Sequence, residues 1–444
     1  MDTLKALSQQ LAGGEVTSRS LVELALQKIG DRGGEGGRAF ISVTPEAARA
    51  DADRVDRLRA AGRPVSRFAG IPLAIKDLFD VAGQVTRAGS RVLQNCAPAT
   101  ADATVIARLR AAGFIFIGRT NMTEFAYSGL GLNPHYGTPL NPFDRRTGRI
   151  PGGSTSGGAV AVTDGMAAAS IGTDTGGSCR IPAAFTGIVG FKPTASRLPR
   201  EGVFPLSQTL DSVGPLAHSV GCCATLDAIM SGAEPHDLPD ASLNNVRLLL
   251  PTTLVLADLD EVVARAFERA LERLSRLGIE IVRQPLDELR RIPAINAAGG
   301  FAAAEAYAWH RSLLEGRAAE YDPRVASRLL KGRALTDTHL GELRKERAAS
   351  IEAVNTAAGQ FDALVMPTVP IIAPPLAAFE SDAEYQRLNA LVLRNPSLVN
   401  FLDRCAISVP IHDPGEPPVG LMLVGHHGAD QQLFVLARAI ERGV

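Results

Sequence analysis

The sequence predicts an α/β protein, a single large layered domain in which a central mixed, mostly parallel β-sheet is covered by helices. Three observations carry that expectation. Short apolar runs alternate with amphipathic helices from residue 70 onward, charged helical segments dominate 258–360, and strand-like runs return after them. The length of 444 residues would also suit about three domains of roughly 150 residues. Strand signals on both sides of the helical stretch favour one sheet completed by the C-terminal segment, and hence one domain over 1–444.

Within that domain, 1–65 is expected to be helical: LKALSQQLA, then TSRSLVELALQKI with Leu21, Leu24 and Ile29 on one face, then the Arg/Asp/Ala-rich stretch from Pro45 to Ala61. Gly13, Gly14 and GGEGG at 33–37 separate these helices. Residues 70–230 form the expected core, with strand IPLAI at 71–75, helix TVIARLRAAG ending at Gly113, and strand FIFIG at 114–118. Residues 240–360 are read as a variable helical subregion. There Val263, Phe267, Ala270, Leu271, Leu274 and Leu277 follow a 3.6-residue period, capped by Asp258 or Asp260 and ended by Gly278. Residues 361–444 supply strands ALVM, AISVP and VGLMLVG and the helix ADQQLFVLARAIERG. No repeat of 20–50 residues is present.

Lys and Arg total 46 against 47 Asp and Glu, a net charge of −1, so nothing draws the chain as a whole toward nucleic acid or an anionic membrane. Aromatics at 5% are too few for a dedicated single-strand binder. Cysteines 96, 179, 222, 223 and 405 show no CxxC spacing, which fits a reducing compartment. The N-terminus lacks a basic segment followed by an apolar run, and no stretch reaches the 18 or so apolar residues of a membrane span. A soluble, cytoplasmic protein is expected, acting on a small molecule as a monomer or homodimer.

The most unusual composition lies at 151–178, where PGGSTSGG and TDTGGSCR flank an apolar stretch. Two Gly-Gly-Ser triplets end at Ser154 and Ser178. Paired glycines before a serine permit close backbone approach, so successive amides can converge on one anionic oxygen. The same triplets also read as plain small-residue turns. The P-loop pattern is absent, and GLGLNP at 129–134 has Pro134 where a dinucleotide motif needs its third glycine. A reacting serine needs a base, yet Gly153-Ser154-Thr155-Ser156-Gly157 is no G-x-S-x-G elbow and none of the eight histidines stands in a triad context. Lys76, directly after IPLAI, is the alternative, because desolvation lowers a lysine pKa toward neutrality. A snorkelling chain or an ion pair with Asp77 is the other reading.

GIPLAIKDLFD at 70–80, RIPGGSTSGGAVAV at 149–162 and SIGTDTGGSCRIPAAFTGIVGFKPT at 170–194 closely resemble the amidase signature family of serine amidohydrolases. The likeness continues through TNMTEFAYSG, LDSVGPLAHSV, DALVMPTVP and PVGLMLVG, nearly the whole chain in order. The resemblance implies that family's fold and its Ser–cis-Ser–Lys unit. Ser178 would be the nucleophile, Ser154 the bridging serine after a cis Gly153–Ser154 peptide, and Lys76 the base. The backbone amides of Thr175, Gly176, Gly177 and Ser178 would form the oxyanion hole. Gly153, Asp174 and Arg180 would support the site, although a surface ion pair is the other reading of the last two. Phe125, Tyr127 and Asn141 lie in the segment that borders the acyl site in the family; core packing is the alternative for Phe125. One departure stands at 154–158, Ser-Thr-Ser-Gly-Gly here against Ser-Ser-Gly-Gly-Ser in many members. No metal or other cofactor is implied.

The expected activity is that of a stand-alone amidohydrolase cleaving a C–N acyl bond through a Ser178 acyl-enzyme, with an esterase side activity. NFLDRCAISVP at 400–410 resembles ureido- and carbamoyl-type members, so carbamates and ureido compounds join amides and aryl amides as substrate classes. The alternative is the glutamine-hydrolysing, A-type component of an amidotransferase, working in a tRNA-dependent complex. Arg145, Arg146 and Arg149 read as a solvated loop or a carboxylate clamp. Phe301, Tyr307 and Trp309 read as core or pocket, Cys222 and Cys223 as core. His426 and His427 lack metal-ligand spacing.

Overall fold

A computed structural model describes residues 1–443. Among these residues eleven strands form one sheet: β1 (Phe40–Val43), β2 (Pro72–Lys76), β3 (Ile115–Thr120), β4 (Ala169–Asp174), β5 (Val189–Lys192), β6 (Ser212–Ala217), β7 (Arg247–Pro251), β8 (Glu280–Gln284), β9 (Ala363–Pro367), β10 (Ala406–Pro410) and β11 (Gly420–Val424). Their spatial order is β1-β3-β2-β4-β6-β5-β10-β11-β9-β7-β8. The C-terminal strands β10 and β11 therefore sit inside the sheet, flanked by β5 on one side and β9 on the other, and the chain is one α/β domain.

The sheet is mixed, but it is not mostly parallel. Parallel pairing is confined to β2–β3, β2–β4, β7–β8 and β7–β9, while the remaining neighbours run antiparallel. Parallel neighbours need a crossover of a dozen or more residues. Helices Thr104–Ala111 and Glu261–Arg276 provide such crossovers on the two flanks, whereas the short 411–419 connection turns β10 straight back onto β11.

Strand β2 is buried along its length. Leu73 and Ile75 pack with Val105, Ile106 and Leu109, and Ala74 packs on the opposite face with Val22, Ala48, Ala52 and Val160. Both faces are thus covered by helices, and a side chain at the end of β2 is dry. The amphipathic helix Glu261–Arg276 buries Val263, Phe267, Ala270, Leu271 and Leu274, each large side chain contributing about 1.5–3 kcal/mol. Leu277 lies past its end and is exposed. Gly278 follows at φ +94°, but Asp260 accepts from the Ile372 amide instead of capping the helix. Three strands lie in stretches expected to be helical. FISV at 40–43 pairs along β3 within the stretch expected to be helical, and RLLLP and EIVRQ form β7 and the charged edge strand β8.

Candidate active site

Lys76 ends β2, whose parallel neighbour β4 runs on to Thr173 and Asp174 in the register Ile75 opposite Ile171. Adjacent parallel strands thus deliver Lys76 and the second Gly-Gly-Ser loop to the same end of the sheet, where open α/β sheets place their ligands. Lys76 is fully buried. Its Nζ lies 2.7 Å from Ser154 Oγ, 3.0 Å from Thr173 Oγ1 and 3.4 Å from the Thr173 carbonyl oxygen. Burial pushes the ammonium down to about 8, with Cys179, Asp174 and Asp211 offsetting only part of the effect. The ion pair with Asp77 is not formed, because successive strand residues face opposite sides. Asp77 instead lies 3.4 Å from Arg119 Nε and accepts from the Gly89 amide; burial raises it to about 6.

The Gly153–Ser154 peptide is cis. Gly153 is required there by contact, since a Cβ would stand 2.5 Å from the Gly131 nitrogen. The buried helix Ser156–Thr163 follows. The departure at 156–158 has a local reason: Ser156 Oγ reaches the Asn121 carbonyl at 3.5 Å, and a Cβ at Gly158 would lie 2.4 Å from Ser170 Oγ. The Thr155 amide donates to the Ser178 carbonyl at 3.3 Å, which stitches the two Gly-Gly-Ser loops together. Among the described residues no hydrogen bond joins the Ser154 and Ser178 hydroxyls. Ser178 instead lines a cavity together with Thr175 and Gly176.

Asp174 and Arg180 are no surface pair: both are fully buried. Arg180 Nη2 and Nε meet the Asp174 carboxylate at 2.8 and 3.0 Å, and Asn400 Nδ2 donates to it at 2.9 Å. Burial alone would raise this carboxyl, but Arg180 and Asn400 hold it well below the usual carboxylate range. The carboxylate also accepts from the Gly177 amide at 2.8 Å and the Cys179 amide at 3.1 Å. One member of the expected oxyanion hole, Gly177, is therefore already committed to Asp174, leaving the amides of Thr175, Gly176 and Ser178 without a protein acceptor among the described residues.

The cavity beside Ser178 has a volume of about 300 Å³ and shares Tyr127, Arg328 and Leu393 with an adjoining space of about 1080 Å³. Tyr127 lines it. Phe125 does not; it packs in the core against Phe204, His310 and Tyr321. Asn141 is also away from the cavity. Its Nδ2 donates to the Ile150 and Phe185 carbonyls and its Oδ1 accepts from the Phe143 amide, so it braces the chain leading into the first Gly-Gly-Ser loop. Arg145 pairs with Asp164, Arg149 with Asp144, and Arg146 is exposed, so the basic run is a solvated loop. Phe301 is core, while Trp309 is 42% exposed. Cys222 and Cys223 are buried in the helix Val220–Ser231. Thr173, Asn400 and Arg328 were not singled out individually by sequence; Thr173 carried a signal in its place before the second Gly-Gly-Ser, and Asn400 opens the quoted stretch NFLDRCAISVP. Among the described residues no three His, Cys, Asp or Glu side chains gather as metal ligands, and no helix is long and apolar enough to cross a membrane.

A family model described as Amidase matches residues 21–434. A 2-amino-5-chloromuconic acid deaminase from Comamonas testosteroni is 35% identical, covering 89% of this chain and 86% of its own. The A-type component of a glutamyl-tRNA(Gln) amidotransferase from Synechococcus sp. (strain WH7803) is 34% identical, covering 98% and 95%. Among solved structures, one described as an amidase superposes with a TM-score of 0.90 at 33% identity, covering 100% of this chain and 99% of that one.

Proposed function

Given that the chain belongs to the amidase signature family, and so is a hydrolase of carbon–nitrogen bonds, we propose that it cleaves small amides, carbamates or ureido compounds through an acyl-enzyme on Ser178. The observation that carries this reading is the dry Lys76 amine 2.7 Å from Ser154 Oγ, where burial outweighs the pull of Asp174 and Asp211 and no carboxylate among the described residues pairs with it directly. Neutral Lys76 takes the Ser154 proton as Ser154 takes that of Ser178, and Ser178 Oγ attacks the carbonyl carbon. The link between the two serines is open here and closes around bound substrate, as catalytic hydrogen bonds commonly do. The negative oxygen of the tetrahedral adduct meets the unpaired amides of Thr175, Gly176 and Ser178. The proton returns through Ser154 to the leaving nitrogen, which departs as an amine, and water then releases the acid. The small cavity supports a compact acyl group. Five unpaired cysteines support a reducing, cytoplasmic setting.

The test is turnover of a panel of primary amides, anilides, carbamates and glutamine, with mass spectrometric capture of the acyl group on Ser178. Full turnover by Ser178→Ala would end the proposal. A second reading, the glutamine-hydrolysing component of a tRNA-dependent amidotransferase, is favoured by the 98% coverage against that relative. It requires glutaminase activity that rises with partner proteins and tRNA.

A further inference from the structure

We propose that Arg328 reads a carboxylate on the acyl part of the substrate, and that the cavity admits such an anion without an accompanying ammonium group. The inference rests on the hydrolase reading for the reaction, but the anion site itself is argued from the cavity alone. Arg328 and Arg394 are the charged residues lining the space beside Ser178, and no Asp or Glu lines it. Arg394 is spent on the protein: it donates to the Ala257 carbonyl at 2.6 Å and to Asn395 Oδ1 at 3.1 Å, and lies 3.4 Å from Asp258. Arg328 has no carboxylate partner among the described residues, its polar neighbour being the Tyr127 hydroxyl, although Arg324 one turn earlier pairs with Asp382 at 2.9 Å.

Its position is nonetheless built. The guanidinium sits 4.6 Å from the Tyr127 ring centroid, a stacking that orients the fork. The helix Pro323–Lys331 beneath it is pinned by buried Val325 and Leu329. At its start, the Asp322 amide donates at 2.7 Å to the buried Glu124 carboxylate. An oriented guanidinium with free N–H groups, bordered by Leu206, Leu210 and Leu393, is matched by a carboxylate on a short aliphatic spacer, which it binds through two parallel hydrogen bonds. An ammonium group would be desolvated there beside two arginines with no acid to meet it. In the adjoining space, Asp382 is taken by Arg324 and Asp322 accepts from the Arg324 amide.

Glutaramate, pentanamide and L-glutamine separate these features, since they share a chain and differ in a carboxylate and an ammonium. The expected kcat/KM for glutaramate exceeds that for pentanamide and for L-glutamine by about 10- to 100-fold, the range of a charge-assisted hydrogen-bonded pair. Arg328→Gln should erase the preference over pentanamide and Arg328→Lys should keep part of it. Arg311→Gln, an exposed charge on another helix, should leave it intact. A binding measurement free of turnover accompanies this: calorimetry of glutarate and L-glutamate with Ser178→Ala protein, with and without Arg328→Gln. Glutarate binding that Arg328→Gln removes, with weaker L-glutamate binding, supports the site even if no amide is hydrolysed, in which case the hydrolase reading alone falls. Equal kcat/KM for the three amides, absent glutarate binding, or glutarate binding indifferent to Arg328→Gln overturns the inference.

Discussion

Raising the pH from about 6 to about 9 should convert Lys76 from ammonium to free amine, and hydrolysis should rise with it. A lysine at its ordinary 10.5 is neutral in roughly one molecule in 3,000 at pH 7, whereas at about 8 it is neutral in roughly one in eleven. Burial at the end of β2 thus enlarges the population of free amine by roughly 300-fold at neutral pH. The expected profile of log kcat/KM for a primary amide climbs with unit slope below pH about 8 and levels above it. Thr173→Val supplies a sharper readout. Thr173 Oγ1, 3.0 Å from Nζ, accepts a hydrogen bond that favours the charged form, so its removal should move the midpoint to lower pH, where a merely structural defect would lower the plateau alone. Lys76→Met should abolish the pH-dependent limb together with most of the rate. A flat profile between pH about 6 and 9, or a Lys76→Met enzyme with full activity, would refute the assignment.

Breaking the buried Asp174–Arg180 pair with Arg180→Met should cost about 3–5 kcal/mol in denaturant unfolding, because the carboxylate is left uncompensated. The folded-state pKa of Asp174 is depressed, so its contribution to stability is present above the unfolded carboxylate value of about 3.9 and is lost as pH falls; Asp174→Asn should flatten that acid-induced loss. Gly177→Ala meets both a φ of +124° and a Cβ 2.6 Å from Pro396, so inactive or misfolded protein is expected. Gly176→Ala has its nearest neighbour at 3.5 Å and should unfold at the wild-type denaturant midpoint. Asn141→Ala should lower stability by about 1–3 kcal/mol for its stranded carbonyl partners while leaving KM unchanged; a raised KM with intact stability would restore it to the substrate site.

What was legible in the sequence was whatever chemistry is written locally. Gly-Gly-Ser twice, and a lysine at the end of an apolar strand, are readable from residue type and order alone, although the contacts that demand the glycines come from distant segments, Gly131 for Gly153 and Pro396 for Gly177. Strand direction was not readable in that way. Alternation of apolar runs with helices suggested parallel pairing, but β10 and β11 are joined by a short connection and enter the middle of the sheet, a placement no local pattern carries. The same limit explains the site residues. Asp174 next to Gly-Gly-Ser could be read as support, yet its capture of the Gly177 amide depends on a carboxylate held in place by Asn400, 226 residues away. That capture bears on the proposed mechanism: Gly177 stands in the loop for its backbone shape, with its N–H tying the turn to Asp174, and the proposal leaves the oxyanion to the unpaired amides on either side. Arg328 marks the far end of this scale. In sequence it is one of two arginines spaced four apart on an amphipathic helix. Its proposed role rests on having no carboxylate partner among the described residues where Arg324 has one, and a missing partner becomes legible only when the fold has put the carboxylates in their places.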